Sequence, residues 1–216
     1  MSGWLKVLKI FGYVIAGIAV YQVLIRLVRR NWHFPAPAFI TVFLNSRLRE
    51  KMQNPAVVIR RSGIKPGQKV LEIGCGGGFF LPYAAHAVGK DGKVFGLDIA
   101  EAMLAHCLRH LARVPVDLRR RIELIHQSAY ELPFDDSSLD VVYLVTALME
   151  IPDPQRCLAE VYRVLKPQST LAVTELLVDP DYPGCGATIR IGEEAGFKVE
   201  AVEGNFWNYT VRFKKP

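Results

Sequence analysis

A glycine-rich turn follows the first strand-like apolar run of the chain and is the clearest candidate for chemistry. Residues 70–73 read Val-Leu-Glu-Ile, and residues 74–78 read Gly-Cys-Gly-Gly-Gly. A strand that ends in glycines lets the backbone approach a ligand closely, because glycine lacks a Cβ and readily takes positive φ. A dinucleotide pattern needs its third glycine where Phe79 stands, and a P-loop needs a Gly-Lys-Ser/Thr triplet that does not follow. The spacing therefore disfavours a pyrophosphate ligand and excludes a P-loop.

Two acidic residues flank this turn. Glu72 lies two residues before Gly74, and Asp98 closes a second apolar run, residues 94–98, roughly twenty residues after the turn. In nucleotide-binding α/β folds, an acid at the end of the second strand binds the ribose hydroxyls. We therefore expect the Asp98 carboxylate to meet a ribose and the Glu72 carboxylate to face the loop.

The acid and the glycines together resemble a known motif. Glu72, Gly74, Gly76 and Gly78 follow the acid-x-Gly-x-Gly-x-Gly pattern of the class I S-adenosylmethionine-dependent methyltransferases. The resemblance implies S-adenosyl-L-methionine as the cofactor and no metal. It further implies that the cofactor contacts Glu72, Gly74, Cys75, Gly76, Gly78, Asp98, Ile99, Ser128, Ala129 and Thr146.

Two further stretches carry the resemblance. Residues 127–134, Gln-Ser-Ala-Tyr-Glu-Leu-Pro-Phe, look like the loop that borders the adenine, although Ser128 stands where the family usually has an aspartate. A serine hydroxyl can still bond the adenine amino group, but more weakly than a carboxylate. Residues 160–167 resemble the segment before the fifth strand, with Gln168 and Ser169 in place of the usual two glycines.

The candidate catalytic residues are Glu150 and Tyr130. Many relatives have histidines at positions 149 and 150, whereas here Glu150 is the one ionisable side chain of residues 146–152. Burial could raise its pKa enough for it to take a proton from an acceptor. The alternative is a structural loop carboxylate. Glu175, Asp181 and Tyr182 are further candidates for the acceptor pocket, on another loop at the same edge of the sheet.

The pattern of the remaining chain predicts the scaffold. Apolar strand-like runs alternate with helix-like segments, which predicts an α/β fold whose parallel sheet binds ligands at the carboxyl ends of its strands. The last two strand-like runs, residues 197–202 and 207–213, have a short link that favours antiparallel pairing. The resemblance implies a Rossmann-like, mostly parallel sheet of seven strands with an antiparallel last strand and helices on both faces.

The front of the chain is apolar and basic. Residues 10–25 carry no charge and would span ~24 Å as a helix, while residues 4–32 would span ~42 Å, against ~30 Å for the hydrocarbon core. Ten Lys and Arg residues but one acid occur through position 61, whereas the remainder is net negative. We therefore expect a single-pass or interfacial membrane helix, with anionic lipids of the inner leaflet as partners and the catalytic part in the cytoplasm.

These features divide the chain into three parts. Residues 1–33 are the expected membrane helix, residues 34–53 a proline-containing linker and amphipathic helix, and residues 54–216 the methyltransferase domain. The amphipathic helix is either a packing helix or a lid over the site. The four cysteines show no paired metal-ligand spacing, so we expect reduced thiols and no metal site.

The resulting hypothesis is a membrane-anchored methyltransferase acting on a lipophilic acceptor. The resemblance is nearest to quinone-biosynthesis C-methyltransferases and phospholipid N-methyltransferases, through Leu132-Pro133-Phe134 and Lys166-Pro167. Two alternatives remain open: a tethered methyltransferase of a soluble small molecule, protein or RNA, and a non-catalytic membrane adaptor with the same fold. No nucleic-acid partner is expected, because the basic charge lies outside the catalytic domain. An oligomer remains possible.

Overall fold

The computed structural model describes residues 47–216 together with positions 4, 9, 12, 13, 17, 20 and 24. These seven isolated positions are all helical. Most of the expected membrane helix, and residues 34–46 of the linker and amphipathic helix, lie outside the described residues. Within the described part of the chain, no helix combines the length and apolar character needed to cross a bilayer.

Strands and helices alternate from position 47 to the C-terminus. The helices are α1 (Arg47–Met52), α2 (Pro55–Arg61), α3 (Leu81–Ala87), α4 (Glu101–Leu111), α5 (Val116–Arg119), α6 (Pro154–Val164) and α7 (Cys185–Glu194), with a 3₁₀ turn at Leu148–Glu150. The strands are β1 (Lys69–Ile73), β2 (Lys93–Asp98), β3 (Ile122–His126), β4 (Leu139–Val145), β5 (Leu165–Leu176), β6 (Lys198–Gly204) and β7 (Asn208–Lys214).

The seven strands form one sheet in the order β3-β2-β1-β4-β5-β7-β6. Strands β1 to β5 pair in parallel, and β7 pairs antiparallel with both β5 and β6. This confirms the predicted mostly parallel sheet with an antiparallel last strand. The strand order reverses between β1 and β4, and ligands of open α/β sheets bind in the crevice at such a reversal. The loops after β1 and β4 are therefore the ones placed to build a site.

Short local signals begin two of the helices. The Asn54 side chain accepts from the backbone N–H groups of Ala56 and Val57, and the proline that follows it opens α2. In the same way the Asp153 side chain accepts from the N–H of Arg156 at the start of α6. Each such cap satisfies backbone donors that have no partner within the helix. Both helices therefore begin at a capped residue followed by proline.

Apolar side chains cover both faces of the sheet. On one face, residues of α3 and α4 pack over Val70, Val94 and Val141. On the other, residues of α6 and α7 pack over Leu71 and Leu144. Alternate residues of a strand point to opposite faces, so β1 contributes to both cores. The predicted placement of helices on both faces is confirmed.

The segment before the fifth strand differs from the prediction. Residues 160–167 resemble the segment before the fifth strand, whereas β5 begins at Leu165 directly after α6 and continues to Leu176. Gln168 takes a φ of +62° within it, at the place where relatives usually have glycine. Helix α5 was not predicted, because its four residues are too short to show a helical period.

Candidate active site

A cavity of about 520 Å³ lies at the carboxyl ends of β1, β2 and β4. Eleven of the twelve predicted site residues line it, and Gly78 is the exception. The cavity is also lined by residues for which no role was predicted, namely Arg49, Met52, Phe79, Phe80, Met103, Leu176, Val178, Asp179 and Pro180. The sequence therefore located the cofactor part of the site. It also offered the helix before residue 54 as a lid and the segment after the fifth strand as part of the acceptor pocket, but it did not identify Arg49 or Asp179 as the residues that line the cavity.

The glycine turn holds its shape through backbone contacts. The N–H groups of Gly74 and Cys75 both donate to the carbonyl of Leu97, at 2.8 and 3.0 Å. A Cβ at Gly74, whose φ is +71°, would lie 2.8 Å from the Cβ of Ala147. Gly76, at φ +52°, would place a Cβ in open space. Gly74 is thus needed for close packing and Gly76 for its backbone conformation.

Gly78 has a packing function in this structure. It has a φ of +76°, and a Cβ there would overlap the Sγ of Cys107 on α4. Its N–H donates to the carbonyl of Cys75 at 2.9 Å. Gly78 does not line the cavity, so the structure does not support the predicted contact between Gly78 and the cofactor. Its glycine allows the turn to lie directly against α4.

Asp98 is fixed at the end of β2 by two backbone donors. Its Oδ2 accepts from the N–H of Gly76 at 2.8 Å, and its Oδ1 accepts from the N–H of Ala100 at 2.9 Å. Each carboxylate oxygen can accept a second hydrogen bond. The side chain is 9% exposed and lines the cavity, as a ribose-binding acid should.

Glu72 lines the same cavity but is almost completely enclosed. Its Oε2 accepts a hydrogen bond of 2.8 Å from the hydroxyl of Tyr143. Burial raises the pKa of Glu72 to about 8, although the Tyr143 hydrogen bond and the charge of Arg49 act in the opposite direction. Without a bound cation, Glu72 is therefore mostly protonated at neutral pH.

The predicted adenine-side residues, Ser128 and Ala129, line the cavity, and so does Ile99, which was predicted as a cofactor contact. Ile99 is 66% exposed although it is a large apolar residue, and Ser128 and Ala129 are half-buried nearby in the lining. The Ser128 Oγ accepts from the N–H of Tyr130 at 3.2 Å, which orients the hydroxyl. An exposed isoleucine beside a cavity offers an apolar surface for a planar ring.

These residues fit S-adenosylmethionine. Gly76 has no side chain, so the space beside its Cα is open to a ligand. The fixed Asp98 carboxylate supplies hydrogen-bond acceptors for hydroxyl groups. Glu72 supplies a carboxyl group that a nearby positive charge would ionise. The donor set contains no cluster for a metal: among residues 47–216 and the isolated N-terminal positions, no group of three potential ligands occurs.

Thr146, directly after β4, has an unusual backbone conformation. Its φ is +51°, which is costly for a β-branched residue. Its N–H donates to the carbonyl of Thr174 at 2.8 Å, and its Oγ1 accepts from Nη2 of Arg49 at 3.3 Å. Non-glycine residues held in this region are concentrated at functional sites, where the surrounding structure maintains the strain.

Arg49 is a site residue that the sequence did not reveal. It was expected on the polar face of the amphipathic helix or near lipid headgroups, but it is 7% exposed and lines the cavity. Its guanidinium lies 5.3 Å from the ring centre of Phe80 and 5.9 Å from that of Phe79. Burial lowers the pKa of Arg49, while the carboxylates of Asp179, Glu72 and Glu150 act in the opposite direction. The basic residues at positions 47, 49 and 51 look alike in the sequence, so no signal distinguished this one.

The predicted catalytic residues have different surroundings. Glu150 lines the cavity from the 3₁₀ turn after β4. Tyr130 also contributes to the lining, but its hydroxyl accepts from the N–H of Asp153 at 2.9 Å and Arg156 lies 4.7 Å from its ring centre. The contacts of Tyr130 therefore favour a structural function at the start of α6, whereas Glu150 keeps its position as the candidate base.

The loop after β5 also differs from expectation. Glu175, Asp181 and Tyr182 do not line the cavity, whereas Asp179 and Pro180 do. Glu175 is enclosed, and burial raises its pKa well above the ordinary value, as do the nearby carboxylates of Asp179, Glu150 and Asp181. Tyr182 donates its hydroxyl to the carbonyl of Phe206 at 2.6 Å, which ties the loop to the β6–β7 turn.

Part of the chain is similar in sequence to known proteins. Residues 71–173 match the family model described as a methyltransferase domain. The demethylmenaquinone methyltransferase of Bacillus mycoides (strain KBAB4) is 39% identical over 109 residues, which is 50% of this chain and 45% of that protein. The chain thus spans about half the length of the curated relatives it matches, because the matched region covers 45% of each of them.

Solved structures share the fold. A SAM-dependent methyltransferase from Aquifex aeolicus superposes with a TM-score of 0.77 at 24% identity, covering 84% of this chain and 100% of that one. The geranyl diphosphate C-methyltransferase from Streptomyces coelicolor A3(2), in complex with Mg²⁺, geranyl diphosphate and S-adenosyl-L-homocysteine, gives a TM-score of 0.65 at 11% identity. That match covers 78% of this chain and 80% of the other.

Proposed function

We propose that the chain is an S-adenosylmethionine-dependent methyltransferase and that it methylates a lipophilic acceptor at the membrane. The acceptor classes that this proposal includes are quinone precursors and phospholipid headgroups. The similarity to demethylmenaquinone methyltransferases supports the first of these. The alternatives of a tethered enzyme for a soluble substrate and of a non-catalytic adaptor become outcomes of the tests below.

The observation that carries the proposal is the chemical division of the cavity. Glu72, Gly76, Asp98 and Ser128 provide the polar groups of a cofactor site. The rest of the cavity lining is mainly apolar and includes Met52, Phe79, Phe80, Leu176, Val178 and Pro180. Small-molecule sites commonly combine such apolar walls with a few placed polar groups. This composition suits a hydrophobic acceptor better than a polar one.

The side chains of this site can bind, orient and deprotonate an acceptor. When bound, S-adenosylmethionine supplies the methyl group that is transferred. Asp98 would bind the ribose of the cofactor, and the backbone of the glycine turn would lie against the cofactor. Glu72 would interact with a positively charged group of the cofactor. The apolar walls exclude water and hold the acceptor in reach, and such positioning is a main contribution to catalysis. Glu150 lines the same cavity and would accept a proton from the acceptor.

The proposed membrane association rests on the N-terminal segment. Its described positions are helical, and Trp4, Tyr13, Val20 and Leu24 are each more than half exposed. Exposed aromatic and aliphatic side chains on a helix favour burial in the headgroup and acyl region of a bilayer. An anchor there, with the catalytic domain in the cytoplasm, would keep the cavity within reach of acceptors that rarely leave the membrane.

Calorimetry with S-adenosylmethionine tests the cofactor site. We expect the wild-type protein to bind and the Asp98→Asn variant to bind roughly 10- to 100-fold more weakly, because one charged hydrogen-bond acceptor is lost. Asp135→Asn is the matched control, since Asp135 is exposed and does not line the cavity. Absence of binding, or equal binding by both variants, would support the adaptor instead.

The acceptor is tested with cofactor carrying a labelled methyl group. The protein is incubated with a total lipid extract and, separately, with water-soluble metabolites, and the labelled products are identified by mass. We expect label in the lipid fraction. Deletion of residues 1–38 should reduce that labelling when the acceptor is presented in vesicles, and unchanged turnover would favour a merely tethered enzyme.

A further inference from the structure

The turn between β6 and β7 carries two exposed aromatic side chains. Phe206 is 77% exposed and Trp207 is 39% exposed. Every other aromatic side chain of residues 47–216 is buried or half-buried. Large apolar side chains are unfavourable in water, whereas aromatic side chains are favoured at the interface between a membrane and water. The turn is therefore a candidate contact surface.

This turn lies beside the cavity. Asn208, at the start of β7, pairs with Leu176 at the end of β5, so the turn is at the carboxyl edge of the parallel strands. The N–H of Leu177 donates to the carbonyl of Trp207 at 2.8 Å. Leu176 and Val178, on either side of Leu177, both line the cavity. The aromatic turn is thus bonded directly to the cavity wall.

The backbone of the turn is paired within the protein. The Asn205 Oδ1 accepts from the N–H of Trp207 at 2.9 Å and from the N–H of Asn208 at 3.2 Å. The carbonyl of Phe206 accepts from the Tyr182 hydroxyl at 2.6 Å, and the carbonyl of Trp207 is paired as described above. An unpaired backbone group is costly to transfer from water into a bilayer. Because these groups are already paired, the turn can enter an apolar phase and present its two aromatic side chains in a fixed conformation.

The charges around the turn suit a phospholipid surface. Residues 204–211 carry no charged side chain, so insertion of the turn would bury no charge. Nη1 of Arg61, a half-buried residue of α2, donates to the Asn208 Oδ1 at 3.0 Å, which places a guanidinium at the base of the turn. A guanidinium at this level complements the negative charge of lipid phosphates. An apolar tip followed by a cation matches the order of acyl chains and phosphates in a bilayer.

We propose that the β6–β7 turn is a second membrane-contact site, at which Phe206 and Trp207 enter the interface of a phospholipid bilayer. The inference deepens the proposed function and rests on the membrane association proposed there. A domain attached to a membrane at one point has no fixed orientation relative to the bilayer. A second contact, bonded to the cavity wall, turns the carboxyl edge of the sheet toward the lipid.

The test places a spectroscopic probe at the turn itself. The tryptophans of the chain are Trp4, Trp32 and Trp207, so a full-length protein with Trp4→Phe and Trp32→Phe emits from Trp207 alone. This single-tryptophan protein is mixed with vesicles of phosphatidylcholine and phosphatidylglycerol, with or without bromine atoms on the acyl chains. We expect the Trp207 emission to shift to shorter wavelength and to be quenched by the brominated lipid.

Two variants of the single-tryptophan protein separate the turn from other exposed apolar groups. Phe206→Ser should shift the equilibrium between inserted and free turn about tenfold toward the free form, because one phenyl group no longer leaves water. Leu108→Ser is the matched control. Leu108 is 61% exposed and lies on α4, which packs near β2 and β3, at the other end of the sheet from β6. The Leu108→Ser variant should be quenched as strongly as its parent.

A measurement on the wild-type chain needs no substitution. Hydrogen exchange of residues 204–208 should slow when vesicles are added, because insertion excludes water from the turn. Calorimetry with S-adenosylmethionine, run on each variant, shows whether its cofactor site is intact. Absence of cofactor binding by the wild type would count against the methyltransferase assignment and would leave the lipid contact to be decided by the quenching.

Three results would overturn this inference alone. The first is no quenching of Trp207 although the protein sediments with vesicles, which would leave the N-terminal segment as the membrane contact. The second is equal quenching in the Phe206→Ser variant. The third is a shift of Trp207 emission with protein concentration in the absence of lipid, to which vesicles add nothing, since that would identify a second copy of the chain as the partner. Failure of the full-length protein to sediment with vesicles would overturn the proposed membrane association as well.

Discussion

The hydroxyl of Tyr143 donates a 2.8 Å hydrogen bond to Oε2 of Glu72, across directly paired positions of β4 and β1. Both side chains are enclosed at the centre of the sheet, with 0% and 2% exposure. Burial raises the pKa of each, that of Glu72 to about 8. The acid that the sequence placed next to the cofactor therefore holds a proton at neutral pH, and a bound cation would displace it.

Cofactor binding should release a proton. A positive charge next to Glu72 lowers its pKa below the value of about 8 in the free protein. At pH 7 the carboxyl group then changes from protonated to ionised, so affinity for S-adenosylmethionine should rise with pH up to about 8 and become level above it. Calorimetry at pH 7 in buffers of different ionisation enthalpy measures the released protons. Glu72→Gln should release none through this group, and equal release by wild type and variant would contradict the prediction.

The same group should make the cofactor-free protein less stable as pH rises. Glu72 ionises near 4.5 when unperturbed and near 8 in the folded protein, so between these values the folded chain holds a proton that the unfolded chain has lost. The contribution of Glu72 to the free energy of unfolding is fully present below pH 4.5 and is lost as pH rises through about 8. Urea unfolding between pH 5 and 9 measures how steeply the free energy of unfolding falls with pH. Glu72→Gln should reduce this slope.

The slope should decrease without vanishing in that variant. Glu175 is also enclosed with a raised pKa, so it contributes in the same direction. Glu175→Gln should reduce the slope separately, and the double variant should reduce it further. An unchanged pH dependence in all three variants would show that neither carboxyl is protonated in the folded state.

The contact of the glycine turn with α4 can be separated from the backbone strain of a positive φ. Gly78 and Gly67 have similar φ values, +76° and +80°, but a Cβ would meet Cys107 at the first and nothing within 4 Å at the second. Gly67→Ala should cost about 1 kcal/mol of unfolding free energy through backbone strain. Gly78→Ala should cost roughly 2–4 kcal/mol, because overlap with a buried side chain is added.

A double variant identifies the source of the difference. If the Cys107 thiol causes the extra loss, Gly78→Ala combined with Cys107→Ala should be more stable than the sum of the two single effects. Chemical denaturation of the wild type, the two single variants and the double variant gives this coupling energy. Strict additivity would place the cost elsewhere, in the backbone of the turn.

The sequence allowed the scaffold and the cofactor part of the site to be predicted because both depend on local signals. Strands β1 and β2 occur where the apolar runs at residues 70–73 and 94–98 indicated. Gly74 and Gly76 are neighbours of Asp98 in space because β1 and β2 are adjacent and parallel. Such residues are brought together by the topology alone.

The acceptor part of the site was not predictable in the same way. Arg49 is 97 positions from Thr146 in sequence, and their contact depends on how α1 packs across the sheet edge. Nothing local distinguishes a buried arginine from its exposed neighbours. Likewise the sequence offered Glu175, Asp181 and Tyr182 with equal weight, whereas the course of the loop after β5 brings Asp179 to the cavity instead.

A salt bridge on α6 joins Glu160 and Arg163, within the segment of residues 160–167 that resembles the family. Glu160 accepts from the N–H of Leu132 at 2.9 Å. Arg163 bonds that carboxylate and also donates to the carbonyls of Leu132 and Phe134, at 2.9 and 2.8 Å. The pair thereby holds the loop that begins at Ser128, although neither residue lines the cavity.

Loss of this pair should weaken cofactor binding from a distance. Arg163→Met removes two hydrogen bonds to carbonyl groups of the loop. We expect roughly a five- to tenfold lower affinity for S-adenosylmethionine, because part of the free energy of binding is then used to order the loop. Hydrogen exchange of residues 127–134 should accelerate in the same variant. Arg212→Met is the matched control, because Arg212 forms a similar network with Glu200 and Glu203 on β6, outside the cavity lining. It should lower the unfolding free energy and leave cofactor affinity unchanged, whereas equal losses of affinity in both variants would show a general destabilisation rather than control of the loop by α6.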